Sequence, residues 1–190
     1  MTEPSRRESG PHNQATSGLP PYIFLYGLVG AGKSYCGEVI AARTGAPHHD
    51  LDRHITGAMK EAIRAGRPFS EEERNEFFAL LEPIVQDAMA RHPRAVFSQG
   101  AYKERHREAI RIACPGIEFV CVSAPAEVLL QRLSRRAGSV GADYADAIAR
   151  NFEPGSAALV LLNDGAPDDE LFGRLVTLFK GNGICEKGAF

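Results

Sequence analysis

Residues 22–34 read YIFLYGLVGAGKS, and the fold turns on this stretch. Tyr22 to Tyr26 is a short apolar run bounded by turn residues, the pattern of a strand buried on both faces of a parallel sheet. Gly27 to Ser34 then matches G-x-x-x-x-G-K-[ST] in full. The glycines let successive backbone N–H groups converge into a nest around an anion. A helix opening near Lys33 points the positive end of its dipole at the same place. Lys33 can reach the β- and γ-phosphates of a nucleotide, and the Ser34 hydroxyl can ligate Mg²⁺. A chance match in a glycine-rich chain needs neither a strand before it nor a helix after it. Here both are present, since Cys36, Val39, Ile40 and Arg43 follow at helical spacing before a stop at Gly45. The expected nucleotide cradle is Gly27, Leu28, Val29, Gly30, Ala31, Gly32, Lys33, Ser34 and Tyr35.

Outward from this loop, apolar runs alternate with helical patterns. Arg94 to Phe97, Phe119 to Val122 and Leu159 to Leu162 read as buried strands, and a weaker run leads into Asp50. Phe77, Phe78, Leu81, Ile84 and Val85 follow Ser70-x-x-Glu73, a capping-box signature, and Pro83 is expected to kink that helix or split it. Leu129, Leu130 and Leu133, and then Leu171, Phe172, Leu175 and Leu178, repeat the helical spacing. Strand–helix alternation of this kind predicts an α/β fold with helices on both faces of a parallel sheet of about five strands.

The chain of 190 residues has 44% hydrophobic and 24% charged residues, enough for one domain with its own core. Its net charge of −2 gives no electrostatic reason to expect nucleic acid or an anionic membrane as partner. The longest apolar stretches are too short to cross a bilayer, and the polar N-terminus lacks the apolar region of a secretory signal. Cys36, Cys114, Cys121 and Cys185 form no Cys-x-x-Cys pair and read as reduced thiols of a cytoplasmic protein. Residues 1–20 have the composition of a disordered segment, the domain is expected over 21–180, and 181–190 read as a loose tail.

Asp50-Leu51-Asp52 lies one helix and one short strand beyond Ser34. At the carboxyl end of a strand the pair faces the phosphate loop, and extended alternation sends both carboxylates to one side. One can hold Mg²⁺ or take a hydroxyl proton, the other can anchor an acceptor; the plainer reading is an acidic turn. His48, His49 and His54 flank the pair without any standard zinc spacing. Lys103, Arg107 and Arg111, four apart, form a ladder that suits a carboxylate or a solvated, ion-paired face. Arg74 stands in a first helical turn beside Glu71, Glu72 and Glu73, where local pairing is the default. Arg132, Arg135 and Arg136 end a helix before a glycine-punctuated loop, as in a hinged lid whose arginines close over phosphates.

From Tyr22 to about Lys180 the sequence resembles the gluconate kinases, within the wider shikimate-kinase-like group. The resemblance is carried by Asp50-x-Asp52, by Gly66-x-Pro68-Phe69-Ser70-Glu71-Glu72-Glu73-Arg74, and by Ala101-Tyr102-Lys103 with His106-Arg107-Glu108 and Arg111. Arg132-Leu133 with Arg136 and Gly138 is similar to the family's lid segment, and Phe152-Glu153-Pro154 to its closing Glu-Pro. The resemblance implies a P-loop kinase, a three-layer α/β/α fold with a small helical lid at about 135–152, Mg-ATP as donor and a polyol acid as acceptor. It implies Lys33, Asp50 and Arg136 as catalytic groups, Arg132 and Arg136 at the ATP, Ser34 and Asp50 at Mg²⁺, and Asp52, Arg74, Lys103 and Arg107 at the acceptor. The family's His-Pro and its later Asn and Lys-Met are replaced here by Ile55-Thr56, Met59 and Ala62-Ile63. The expected activity is ATP-dependent phosphorylation of a hydroxyl on a small sugar acid by a monomer or homodimer. A shikimate-type kinase is the first alternative, although Ser98-Gln99-Gly100 replaces the usual Gly-Gly-Gly run. A non-catalytic ATP-binding relative is the second; a GTPase is set aside because Asn-Lys-x-Asp and Asp-x-x-Gly are absent.

Overall fold

The structure, a computed structural model, describes residues 18–135, 148–155 and 159–181. Five strands form one sheet: β1 Tyr22–Tyr26, β2 His48–Asp50, β3 Ala95–Ser98, β4 Ile117–Ser123 and β5 Leu159–Leu162. All pairings are parallel, in the order β2-β3-β1-β4-β5. The helices are α1 Lys33–Thr44, α2 Gly57–Arg64, α3 Glu71–Arg91, α4 Glu104–Ala113, α5 Ala126–Arg135 and α6 Asp168–Lys180, with a 3₁₀ turn at Leu51–His54.

Alternation along β1 shows why three layers form. Phe24 and Tyr26 enter one apolar cluster with Phe97, Phe119, Met59, Phe77, Leu81 and Ile110, which places α2, α3 and α4 on that face. Ile23 and Leu25 enter the other with Val39, Ile40, Val120, Leu171 and Leu175, so α1 and α6 cover the opposite face. The Phe24 ring stacks on Phe119 with centroids 4.7 Å apart.

Two local readings are narrowed. Of the two outcomes expected at Pro83 the split does not occur, since α3 is a single helix over Glu71–Arg91. Ser70 and Glu73 close a capping box at its start, and Phe77, Phe78, Leu81, Val85 and Ala88 bury one stripe through both halves. That tertiary packing outweighs the one hydrogen bond a proline removes. The acidic pair is not extended throughout either: Asp50 ends β2, and its Oδ1 accepts from the Asp52 N–H at 3.1 Å, starting the 3₁₀ turn. A short acidic side chain that bonds the backbone two residues on competes with extended structure.

Leu19, inside the stretch read as disordered, is buried in the second cluster; residues 1–17 lie outside the described residues, as do 182–190 of the tail. Residues 136–147, most of the expected lid and Arg136 with it, also lie outside them. Cys36, Cys114 and Cys121 are buried free thiols.

Candidate active site

β1 delivers the chain into a loop at the carboxyl edge of the sheet, and two glycines there are required by geometry. Gly27 has φ +145°, and a Cβ on it would lie 2.3 Å from the Val122 carbonyl oxygen of β4. Gly32 has φ +89°, and a Cβ there would meet Asn163 Nδ2 at 2.2 Å. The loop then turns into α1, whose first turn follows from Cys36 N–H donating to the Gly32 carbonyl at 2.9 Å. Lys33 Nζ donates to the carbonyls of Gly27 at 3.1 Å and Leu28 at 3.0 Å, so its charge lies over the loop. Ala31 is fully buried, while Tyr35 is exposed and donates its hydroxyl to Asp168 of α6.

The neighbouring strand supplies the acid. Ser34 Oγ donates to Asp50 Oδ2 at 3.1 Å, joining the phosphate loop to the end of β2. Asp52 Oδ1 accepts from Gln99 Nε2 at 3.4 Å, at the carboxyl end of β3. Gln99 is buried, and its Oε1 has no hydrogen-bond partner among the described residues. A hydroxyl and a carboxylate brought together at a phosphate loop form an oxygen donor set that suits a hard divalent cation. The histidines contribute packing instead. His48 bonds Ser98 Oγ at 2.9 Å, His49 stacks on Phe97 at 5.4 Å, and burial lowers the pKa of both below the usual imidazole range. Among the described residues no group of His, Cys, Asp or Glu forms a metal cluster.

The basic residues separate into different environments. Lys103 caps α4 and donates from Nζ to Glu153 Oε1 at 3.0 Å. Arg107, only 1% exposed, donates to the Ala101 carbonyl, the Glu104 carboxylate and the Glu153 carbonyl, with its guanidinium 4.3 Å from the centre of the Tyr26 ring. Arg111 pairs with Glu104 and Glu108 and lies 4.8 Å over Phe119. Arg74 is buried, pairs with Glu71 at 3.2 Å and donates to the Phe69 carbonyl at 2.6 Å. Arg132 sits against the phosphate loop, donating to the Gly30 carbonyl at 3.3 Å and the Ala31 carbonyl at 3.2 Å. The structure thus brings Ser34 together with Asp50, and Arg132 together with Gly30 and Ala31. It links Lys103 and Arg107 through Glu153.

Sequence reasoning missed Asn163. This residue is 1% exposed just beyond β5, donates to the Ala31 carbonyl at 2.8 Å and accepts from Arg132 at 3.2 Å. Its signal was a polar residue closing an apolar strand at the loop edge, followed by Asp164-Gly165. Gln99 carried the same signal at the end of β3.

The shikimate kinase family model matches residues 29–146, more than half of the sequence. The chain belongs to the shikimate kinase family. A gluconokinase from Gluconobacter oxydans is 28% identical over 66% of this chain and 71% of its own length. A shikimate kinase from Rhizobium meliloti is 30% identical over 72% of this chain and 69% of its own. The fold is shared with a solved gluconokinase from Sinorhizobium meliloti, at TM-score 0.72 and 23% identity over 85% of this chain and 93% of that one. These likenesses make the protein a gluconokinase-like member of the family, a small-molecule kinase of the P-loop class with an alcohol as acceptor. Within that frame the departures noted in the sequence have a location. Thr56 accepts from Met59 N–H at 3.2 Å to cap α2, and Met59 and Ala62 are buried in the first apolar cluster. In this chain these positions serve as helix cap and core.

Proposed function

We propose that the protein transfers the γ-phosphoryl of ATP, in line, to a hydroxyl of a small sugar acid resembling gluconate. One observation carries the reading: Ser34 and Asp50 meet at 3.1 Å, so the groups that handle phosphate and hydroxyl adjoin. The amides of Gly27 to Ser34 hold the triphosphate, and Lys33 turns from the Gly27 and Leu28 carbonyls to the β- and γ-phosphates. Ser34 and Asp50 are the residues that hold Mg²⁺, which when bound offsets phosphate charge. Asp50 orients the acceptor hydroxyl and takes its proton, and Asp52 anchors a second hydroxyl.

Arg74, Lys103 and Arg107 stand on the acceptor side, each paired with a carboxylate of the chain, and a cation that can exchange that partner favours an acid over a neutral polyol. Lys103 is the group that meets the carboxylate, while the buried Arg107 fixes the 101–104 segment around it. Arg132 braces the loop, and Arg136 completes the charge over the phosphates. In this reading the enzyme works in the cytoplasm as a monomer or homodimer. Among the described residues no helix is long and apolar enough to cross a membrane.

A second acceptor class, cyclic hydroxy acids such as shikimate, is favoured by the family match itself. ADP release measured across aldonic acids, shikimate and neutral alditols tests both. Gluconate-type acids are expected to give the highest kcat/KM. Turnover with shikimate alone would move the assignment to the second class, and no turnover with any acid would overturn it.

A further inference from the structure

The cation assigned to the acceptor is already engaged by an acid of the chain itself. Glu153 Oε1 accepts from Lys103 Nζ at 3.0 Å, and Glu153 Oε2 accepts from the Glu104 N–H at 2.8 Å. One carboxylate therefore spans the Lys103 ammonium and the first amide of α4, as an acid ligand of that corner would. The amide bond first, then Lys103, holds the Glu153 carboxyl below the usual carboxylate range. The backbone beneath it is fixed separately. Glu153 N–H donates to the Tyr102 carbonyl at 2.8 Å, Arg107 donates to the Glu153 carbonyl, and Tyr26 Oη donates to the Pro154 carbonyl at 2.5 Å. The Glu153 side chain, 48% exposed, can leave while that anchor stays.

We propose that Glu153 sets acceptor selectivity by acting as an internal carboxylate that an acid acceptor displaces from Lys103. The inference rests on the sugar-acid reading above. A neutral polyol leaves the Lys103–Glu153 pair intact, so only acids bear the displacement. For a part-exposed ion pair that competition is a modest effect, about two- to fivefold in affinity.

Glu153→Gln is the test, because its amide oxygen still accepts from Glu104 N–H while the competing charge is gone. Gluconate and glucitol are the probes, and ADP release and calorimetry the readouts. The KM or Kd of Glu153→Gln for gluconate is expected to fall about two- to fivefold, with no matching gain for glucitol. In a Lys103→Met background the same change is expected to do nothing to gluconate. An unchanged or weakened gluconate affinity in the variant, equal gains for both probes, or an undiminished gain in the Lys103→Met background each overturn the inference while leaving the sugar-acid reading in place. If no aldonic acid turns over with either protein, the sugar-acid reading fails and this inference fails with it.

Discussion

Gly32→Ala tests whether the phosphate loop is held by what surrounds it. The substitution adds one methyl at φ +89°, 2.2 Å from Asn163 Nδ2 and 3.5 Å from Arg132 Nη1. Left-handed backbone on an alanine costs about 1–2 kcal/mol. Relieving the contact moves the Asn163 amide off the Ala31 carbonyl and off Arg132, bonds of 2.8 and 3.2 Å. Losing one neutral and one charge-assisted hydrogen bond adds about 2–3 kcal/mol. Gly32→Ala is therefore expected to cost about 3–5 kcal/mol, and Asn163→Ala about 2–3 kcal/mol. In an Asn163→Ala background Gly32→Ala is expected to cost only the backbone strain, about 1–2 kcal/mol. The coupling between the two sites, about 2 kcal/mol, is well above the scatter of independent sites. Urea unfolding measures all three variants, followed by far-UV circular dichroism because the chain contains no tryptophan. Full additivity of the two costs would show that the Asn163 amide is not what the new methyl meets, and the account of the loop would fail.

Two further outcomes are expected. Lys33→Ala is expected to abolish ATP turnover, and Asp50→Ala to lower it by orders of magnitude while nucleotide still binds; wild-type ADP release from either variant would contradict the roles given to these residues. His106 stacks on Phe78 at 4.4 Å and bonds Asn75 at 2.9 Å, and burial together with Arg105 and Arg74 lowers its pKa to about 4. Its folded pKa lies below the unfolded value, so its contribution is full above about pH 6.5 and is lost as pH falls toward 4. Urea midpoints measured over that range are expected to drop more steeply for the wild type than for His106→Gln, and parallel profiles would refute the assignment.

Most of the sheet was legible because its signals are local. YIFLY and LVLL became β1 and β5 with the bounds read from sequence, and the Ser70–Glu73 box starts α3 as expected. The strand order, with β1 between β3 and β4, was not legible, since pairing is decided by contacts far apart in sequence. The split allowed at Pro83 does not occur for the same reason: propensity is local, and the buried stripe that carries α3 past it is tertiary. The candidate site divides along the same line. The loop from Gly27 to Ser34 was readable because its chemistry sits in consecutive residues. Asn163 and Glu153 act on it or on Lys103 across 132 and 50 positions of sequence, and no spacing rule reaches that far.

Residue type also says less about a cation than about an anion-binding loop. Lys103, Arg107 and Arg111 look alike as a four-residue ladder, yet α4 presents them to three different surroundings. Arg107 at 1% exposure holds Ala101, Glu104 and Glu153 through Nη1 and Nη2 while its Nε is buried without a partner among the described residues, so meeting an acceptor directly would require breaking those bonds. Breaking a buried, paired charge costs about 3–5 kcal/mol, far more than a solvated pair such as Arg111–Glu108. Lys103 pairs with one part-exposed carboxylate and can exchange it for another. The resemblance offers Arg74, Lys103 and Arg107 as cations for the acceptor, and of these Lys103 is the least buried.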